Sequence, residues 1–217
     1  MPKPKQSEPE RPAPRLYLVT PEIEDAAGFA RSLPEALGAA DVAAVLLRLK
    51  EADERTQINR IKALVPAVQS AGVALVLDGM PELVARSGAD GAHLRDFESF
   101  MAALPALKPD RIAGCGGLGS RDDAMTAAEE GADYVLFGEP DKDGERPSFD
   151  AIMERVEWWA ELFQVPCVAF AASADEVAPL AAAGADFVAV SYVWSDARGA
   201  TAALTDAMSK LAIEAVA

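Results

Sequence analysis

Short apolar runs alternate with amphipathic segments along most of the chain. The runs show no clean alternation of polar and apolar residues, which is typical of strands that are buried on both faces. The segments between them have helical spacing, most clearly where five aliphatic residues from Ile58 to Val68 precede Gly72. The predicted strands cover residues 16–19, 42–47, 73–77, 93–94, 111–113, 134–137, 167–170 and 187–190.

A repeated Gly-Ala-Asp tripeptide marks three helix-to-strand connections. It stands at 88–90, 131–133 and 184–186, each time after an Ala-rich helical segment and before an apolar run. Glycine suits the left-handed position that ends a helix, and a short polar connection into a strand follows. Ser120 and Ser173 precede acidic residues and are predicted to cap the next helices.

Eight strands in strict alternation with eight helices predict a closed parallel barrel, the (β/α)8 or TIM-barrel fold. An open, doubly wound sheet is the alternative, but no glycine-rich dinucleotide-binding motif follows the first strand. The length of 217 residues suits one domain, which we place at 15–217. Residues 1–14 are rich in proline and charge, lack the apolar centre of a signal peptide, and are predicted to be a disordered tail.

The charge and the cysteines limit the partners and the location. A net charge of −15 argues against nucleic acid and anionic membranes, so a phosphate site would have to be built locally. No apolar run reaches the length of roughly 18 residues that a membrane span requires. Cys115 and Cys167 lie far apart, without metal-ligand spacing, and are interpreted as small buried residues in a reducing cytoplasm.

In a TIM barrel the chemistry lies at the carboxyl ends of the strands and in the loops that follow. The polar residues at these positions are therefore the candidates for a functional site. They are Thr20, Arg48, Lys50, Asp78, His93, Arg95, Asp96, Glu98, the loop 139–147, Ser173, Ser191 and Tyr192.

The segments around these strand ends carry a family likeness. In this order they resemble thiamine phosphate synthase and its relatives, the thiazole tautomerases of the TenI type. The family's synthase joins hydroxymethylpyrimidine diphosphate to thiazole phosphate, uses Mg²⁺ and releases pyrophosphate. The resemblance covers nearly the whole chain after the tail and implies a TIM barrel. The segments that carry it are LYLVT (16–20), LRLKE (47–51), LD (77–78), GADGAHL (88–94), GADYVLFG (131–138) and AGAD (183–186).

Several positions match the residues that act in the family. Arg48 and Lys50 match two cations of the second strand, which suit a diphosphate. Asp78 matches one carboxylate ligand of Mg²⁺ and Glu98 falls at the other, with Asp96 as an alternative after a small shift. Ser191 matches a phosphate contact after the eighth strand.

Other positions depart from the family pattern. The Ser-Thr-His stretch after the fifth strand is Gly-Leu-Gly at 117–119, which removes the histidine of a tautomerase. The Thr-x-Thr-Lys pyrophosphate loop is Asp-Gly-Glu-Arg at 143–146, where only Arg146 keeps a positive charge. The Gly-Gly pair of the thiazole-phosphate site is Ala171-Ala172, whose β-carbons hinder a close approach of phosphate to the backbone.

Three functions therefore stay open. The first is a divergent synthase in which Arg48, Lys50, Arg146 and Ser191 bind substrate and Asp78 and Glu98 bind Mg²⁺. The second is a catalytically eroded homologue that binds a phosphorylated small molecule or a protein partner. A thiazole tautomerase is the third, and the loss of the histidine weakens it.

His93 and the tryptophans have less specific interpretations. His93 is the only histidine, and a packed, hydrogen-bonded ring within a strand is expected. Asp78 needs a cation, for which Lys50 is one candidate. Trp158 and Trp159 are adjacent, so one is expected to pack on the barrel and the other to mark the contact of a homodimer.

Overall fold

The chain forms a closed barrel of eight parallel strands in the order β1 to β8, as the computed structural model shows for residues 12–214. This confirms the predicted TIM barrel and excludes the open doubly wound sheet. Residues 1–11 of the predicted tail lie outside the described residues, and residues 12–14 have no regular structure. The strands are β1 Arg15–Ile23, β2 Val42–Leu49, β3 Ala74–Asp78, β4 Gly91–Leu94, β5 Ile112–Cys115, β6 Tyr134–Phe137, β7 Cys167–Ala171 and β8 Phe187–Val190.

A helix follows every strand, so the order of the elements is as predicted. Two short 3-10 helices, Pro81–Leu83 and Tyr192–Ser195, lie in the connections after β3 and β8. None of the described helices is long and apolar enough to span a membrane. The helices are α1 Ala26–Leu37, α2 Glu54–Gln69, α3 Val84–Ser87, α4 Phe97–Leu107, α5 Arg121–Glu129, α6 Phe149–Leu162, α7 Ala174–Ala182 and α8 Ala200–Glu214.

The Gly-Ala-Asp repeat joins neighbouring strands at the amino end of the barrel. The three glycines have positive φ angles of 85°, 107° and 97°, as a left-handed helix end requires. Each aspartate accepts a hydrogen bond from a backbone N–H of the preceding strand. The donors are the N–H groups of Leu75 for Asp90, Ala113 for Asp133 and Cys167 for Asp186, at N···O distances of 2.7–2.8 Å. The repeat therefore sets the register of three strand pairs, a role that its spacing in the sequence does not reveal.

Two apolar layers enclose the sheet. The larger layer lies between the strands and the outer helices and includes Trp159 and Phe100, which are almost completely buried. The smaller layer fills the barrel interior with residues from β1, β2, β3, β6, β7 and β8. Tyr17 and Tyr134 belong to this interior layer, so their hydroxyls lie among apolar side chains. Cys115 and Cys167 are both buried, as predicted, and neither forms a disulfide.

Candidate functional site

Arg48, Asp78 and Arg95 form one ion-paired cluster at the carboxyl ends of β2, β3 and β4. Arg95 donates from Nε to Asp78 Oδ1 at 2.8 Å and from Nη2 to Oδ2 at 2.6 Å. Arg48 donates from Nε to the same Oδ2 at 3.1 Å. The Arg48 backbone N–H is held by the Thr20 hydroxyl of β1 at 3.0 Å. We call this group the arginine cluster.

The Asp78 carboxylate is largely enclosed, with 14% of its side chain exposed. Burial by itself raises the pKa of this carboxyl, but the hydrogen bonds and the positive charge of Arg95 outweigh it, with a smaller contribution from Arg48. The pKa of Asp78 therefore lies below its usual range. Asp78 is ionised at neutral pH and keeps both guanidinium groups in place.

A second polar group runs from the barrel mouth into the barrel interior. Glu139, directly after Gly138 in the loop that follows β6, lies 3.2 Å from His93 Nε2. The other ring nitrogen, Nδ1, lies 3.1 Å from the Tyr134 hydroxyl, which lies 2.7 Å from the Tyr17 hydroxyl. His93 is completely buried and its ring stacks on Tyr134, as a packed strand histidine was expected to do. We call these four residues the buried relay.

Hydrogen-bond counting gives the buried relay a direction. If Tyr17 donates to Tyr134, Tyr134 donates to His93 Nδ1 and His93 Nε2–H donates to Glu139, every polar hydrogen has an acceptor. In the reverse order the Tyr17 hydrogen has no acceptor among the described residues. Burial raises the pKa of both tyrosines, so both hydroxyls stay protonated. Glu139 therefore receives a hydrogen bond at the mouth and is the relay's only carboxylate.

The two groups meet at Glu139. Its carboxylate lies 3.9 Å from Arg95 Nε, and only 8% of the side chain is exposed. A β-carbon at Gly116 would collide with both Glu139 and His93, so the glycine after β5 leaves the space in which they pair. Hydrogen bonds and ion pairs thus connect side chains from β1, β2, β3 and β6 with those at the end of β4 and in the loop after β6.

A separate ion pair lies between the loop after β6 and α7. Arg146 Nη1 donates to both oxygens of Glu176, at 3.2 and 2.9 Å, and Nη2 donates to the Phe170 carbonyl. Glu176 also accepts from the Ala172 backbone N–H at 2.8 Å. The buried Nε of Arg146 has no hydrogen-bond partner in the described part of the chain. A carboxylate of the chain itself therefore occupies the cation and the backbone N–H that the family pattern offers to phosphate.

A cavity of about 320 Å³ lies at the carboxyl ends of β5 and β6, beside Glu139 of the buried relay and Arg146 of the separate ion pair. The loop 139–147 forms one wall of it, and Asp141 folds this loop by accepting the N–H groups of Asp143 and Glu145. The charged residues that line the cavity are Glu139, Asp141, Glu145, Arg146 and Arg155. The cavity is thus a mixed-charge pocket that adjoins the buried relay.

The structure brings some of the predicted site residues together and leaves others apart. Arg48 and Asp78 meet, but the cation that holds both oxygens of Asp78 is Arg95 and not Lys50. Lys50 pairs with Glu24 at 2.7 Å and is 57% exposed. Glu98 is exposed in the first turn of α4, where Asp96 accepts the Ser99 N–H at the helix start. Ser191 is half-buried directly after β8.

The described residues do not form a metal site as they lie. No group of three His, Cys, Asp or Glu side chains within residues 12–212 could hold a metal ion. Both oxygens of Asp78 accept hydrogen bonds from guanidinium groups, which would repel a divalent cation. The arrangement around Asp78 therefore does not fit a Mg²⁺ ion bound without substrate. Binding of Mg²⁺ by Asp78 and Glu98 stays an untested prediction.

Removing the Glu176 charge tests whether this carboxylate blocks an anion site. We expect Glu176→Gln to bind inorganic phosphate at least threefold more tightly than the unchanged protein, because Arg146 loses its internal anion. Isothermal titration calorimetry measures the affinity. Glu129→Gln, an exposed change at the last residue of α5, is the matched control and should have no effect. Equal affinities in both variants would show that Glu176 does not compete with phosphate.

Comparisons with known proteins agree with this architecture. The family model described as thiamine monophosphate synthase matches residues 16–192. A thiamine-phosphate synthase from Rhodospirillum centenum is 43% identical over 88% of this chain and 95% of its own length. One from Hyphomonas neptunium is 41% identical over 89% and 92%. The structure of thiamine phosphate pyrophosphorylase from Pyrococcus furiosus superimposes with a TM-score of 0.73 over 94% of this chain and 97% of its own, at 21% identity, which supports the fold. The chain belongs to the thiamine monophosphate synthase family.

Proposed function

We propose that this protein is a divergent thiamine-phosphate synthase, which couples hydroxymethylpyrimidine diphosphate to thiazole phosphate. One observation carries the proposal: Arg48 and Asp78, matched to the family from sequence, meet at the carboxyl face of a barrel of that family. Relatives at 43% and 41% identity that bear this name support the choice of substrates.

In the proposed reaction the protein acts by binding and by electrostatics. The diphosphate lies at the arginine cluster, where the guanidinium groups of Arg48 and Arg95 donate hydrogen bonds to its oxygens. These donors stabilise the negative charge that grows on the departing pyrophosphate while the thiazole nitrogen forms the new bond to carbon. The other candidate substrate contacts are Lys50, Arg146 and Ser191.

The second candidate is an eroded homologue that binds a phosphorylated small molecule without turnover. The internal pairing of Glu176 favours it, because both Arg146 and the Ala172 N–H are already occupied. Ala171 is completely buried, so the family's glycine pair is replaced by a packed side chain at its first position. This candidate keeps the arginine cluster as a phosphate-binding site.

A synthase assay separates the two candidates. The purified protein is incubated with both precursors, and thiamine phosphate is measured as fluorescent thiochrome after oxidation. Product formation that saturates in both precursors supports the synthase. Absence of product from a protein shown to be folded by circular dichroism excludes it. Calorimetry with thiazole phosphate then tests for binding without turnover.

A homodimer and a cytoplasmic location are part of the proposal. Trp159 packs against Phe137 under the outer helices, whereas Trp158 is partly buried and stacks under the guanidinium of Arg121. Leu162, one turn further along α6, is 62% exposed. This end of α6 is the surface on which we expect a second subunit, and light scattering measures the mass in solution.

A further inference from the structure

The Asp78 carboxylate already has the positive charge that a metal would otherwise supply. Arg95 binds both oxygens through two nitrogens, and Arg48 adds a third hydrogen bond. A bidentate guanidinium fits a carboxylate closely, in length and in plane. Arg48 and Asp78 match the family's pattern, and Arg95 adds a second guanidinium group at the end of the next strand.

We propose that Arg95 takes the place of a divalent cation at Asp78, so that the barrel mouth binds a diphosphate without Mg²⁺. This inference deepens the proposed function, because it concerns the same site. It can be tested separately from the proposed function, because it concerns the binding of a diphosphate and does not require turnover.

The free edges of the two guanidinium groups support this assignment. Each arginine has five N–H donors. Arg48 uses one of them on Asp78 and Arg95 uses two, and the remaining side-chain donors have no acceptor within residues 12–212. Asp78 thus binds Arg48 through Nε and Arg95 through Nε and Nη2, which leaves both Nη atoms of Arg48 and Nη1 of Arg95 for a ligand. Two adjacent arginine forks match the several oxygens of a diphosphate.

The surroundings of Asp78 exclude a cation more strongly than they exclude an anion. A metal at either carboxylate oxygen would lie beside two guanidinium groups and would have to displace one of them. Glu139, the carboxylate of the buried relay that faces Arg95, accepts a hydrogen bond from His93 and is almost completely buried. The protein carries a net charge of −15, so the arginine cluster gives an anion a local binding site that the rest of the molecule does not favour.

Manganese binding tests the exclusion of metal directly. Electron paramagnetic resonance measures free Mn²⁺ in the presence of the protein, with no substrate added. We expect Arg95→Gln and Arg95→Ala to bind Mn²⁺ at least tenfold more tightly than the unchanged protein, because Asp78 is released. Arg15→Gln is the matched control, since Arg15 pairs with Asp41 at the opposite end of the barrel. In Asp78→Asn/Arg95→Ala the gained site should disappear.

Pyrophosphate binding tests the other half of the proposal. Calorimetry in the presence of EDTA should give saturable binding to the unchanged protein and at least tenfold weaker binding to Arg95→Gln, whose fold is checked by circular dichroism. Tight Mn²⁺ binding by the unchanged protein, or pyrophosphate binding that disappears in EDTA, would overturn the proposal. A protein that binds pyrophosphate in EDTA but makes no thiamine phosphate would contradict the proposed function and leave this inference standing.

Discussion

Replacing Asp78 with asparagine should lower the rate of thiamine phosphate formation by about 100-fold, which corresponds to a loss of roughly 2.7 kcal/mol of transition-state stabilisation. The neutral amide keeps the volume of the carboxylate but loses the charge that holds Arg48 and Arg95 side by side. The two guanidinium groups then repel each other and leave the geometry in which both face the diphosphate. Steady-state kinetics with both precursors measure the effect.

The matched control for this variant is Asp41→Asn. Asp41 is also paired with an arginine, Arg15, but lies at the amino end of the barrel, away from the mouth. Its pair is more exposed, so the change should cost well under 1 kcal/mol of stability and leave the rate within about twofold. A rate in Asp78→Asn that equals the rate in Asp41→Asn would remove Asp78 from the site.

Tyr134→Phe should be the most destabilising single-atom change in the buried relay. The Tyr134 hydroxyl lies between Tyr17 and His93, so its removal leaves the Tyr17 hydroxyl and His93 Nδ1 without partners. Each buried polar group that loses its partner costs about 1–3 kcal/mol, so we expect a loss of about 3 kcal/mol in the free energy of unfolding. Urea denaturation followed by circular dichroism measures it.

Tyr17→Phe removes the same atom from the end of the relay. Tyr134 still donates to His93 in this variant, so no strong donor is left without an acceptor. We expect a loss of about 1 kcal/mol or less. If Tyr17→Phe proved as destabilising as Tyr134→Phe, the inferred direction of the hydrogen bonds would be wrong.

The fold could be predicted because its signal is repeated along the chain. Eight apolar runs, helical segments between them and three Gly-Ala-Asp tripeptides all indicate the same unit, so local errors did not change the result. The ends of the strands have a weaker signal in the sequence. The sequence placed the first strand at 16–19, whereas β1 extends to Ile23, because a register shift lets its last residues pair with Arg48 and Leu49. Such an irregularity has no apolar pattern of its own.

Two of the three ion-paired residues of the arginine cluster could be predicted to meet. Arg48 and Asp78 end adjacent strands of a parallel sheet, and the carboxyl ends of such strands meet at one face. Arg95 was recognised only as a strand-end residue, and Lys50 was considered as the partner of Asp78. The direction of a long side chain in a loop depends on which carboxylates lie within its reach, and Lys50 forms its ion pair with Glu24.

The buried relay and the Glu176 pair could not be derived from sequence spacing. His93 and Glu139 are 46 residues apart, and their contact needs the barrel to close and Gly116 to leave room. One signal was present: Tyr17 and Tyr134 place hydroxyls inside apolar strands, and buried hydroxyls need partners. The position of Glu176 in the first turn of α7 indicated an ordinary acidic residue at a helix start. Its ion pair with Arg146 depends on the conformation of the loop after β6.

A crystal structure of the protein with pyrophosphate would show whether the arginine cluster binds a diphosphate. We expect pyrophosphate oxygens within hydrogen-bonding distance of the Nη atoms of Arg48 and Arg95, with Asp78 still paired to both side chains. Pyrophosphate bound elsewhere on the barrel, or an empty mouth at saturating concentration, would show that the arginine cluster is not a diphosphate site.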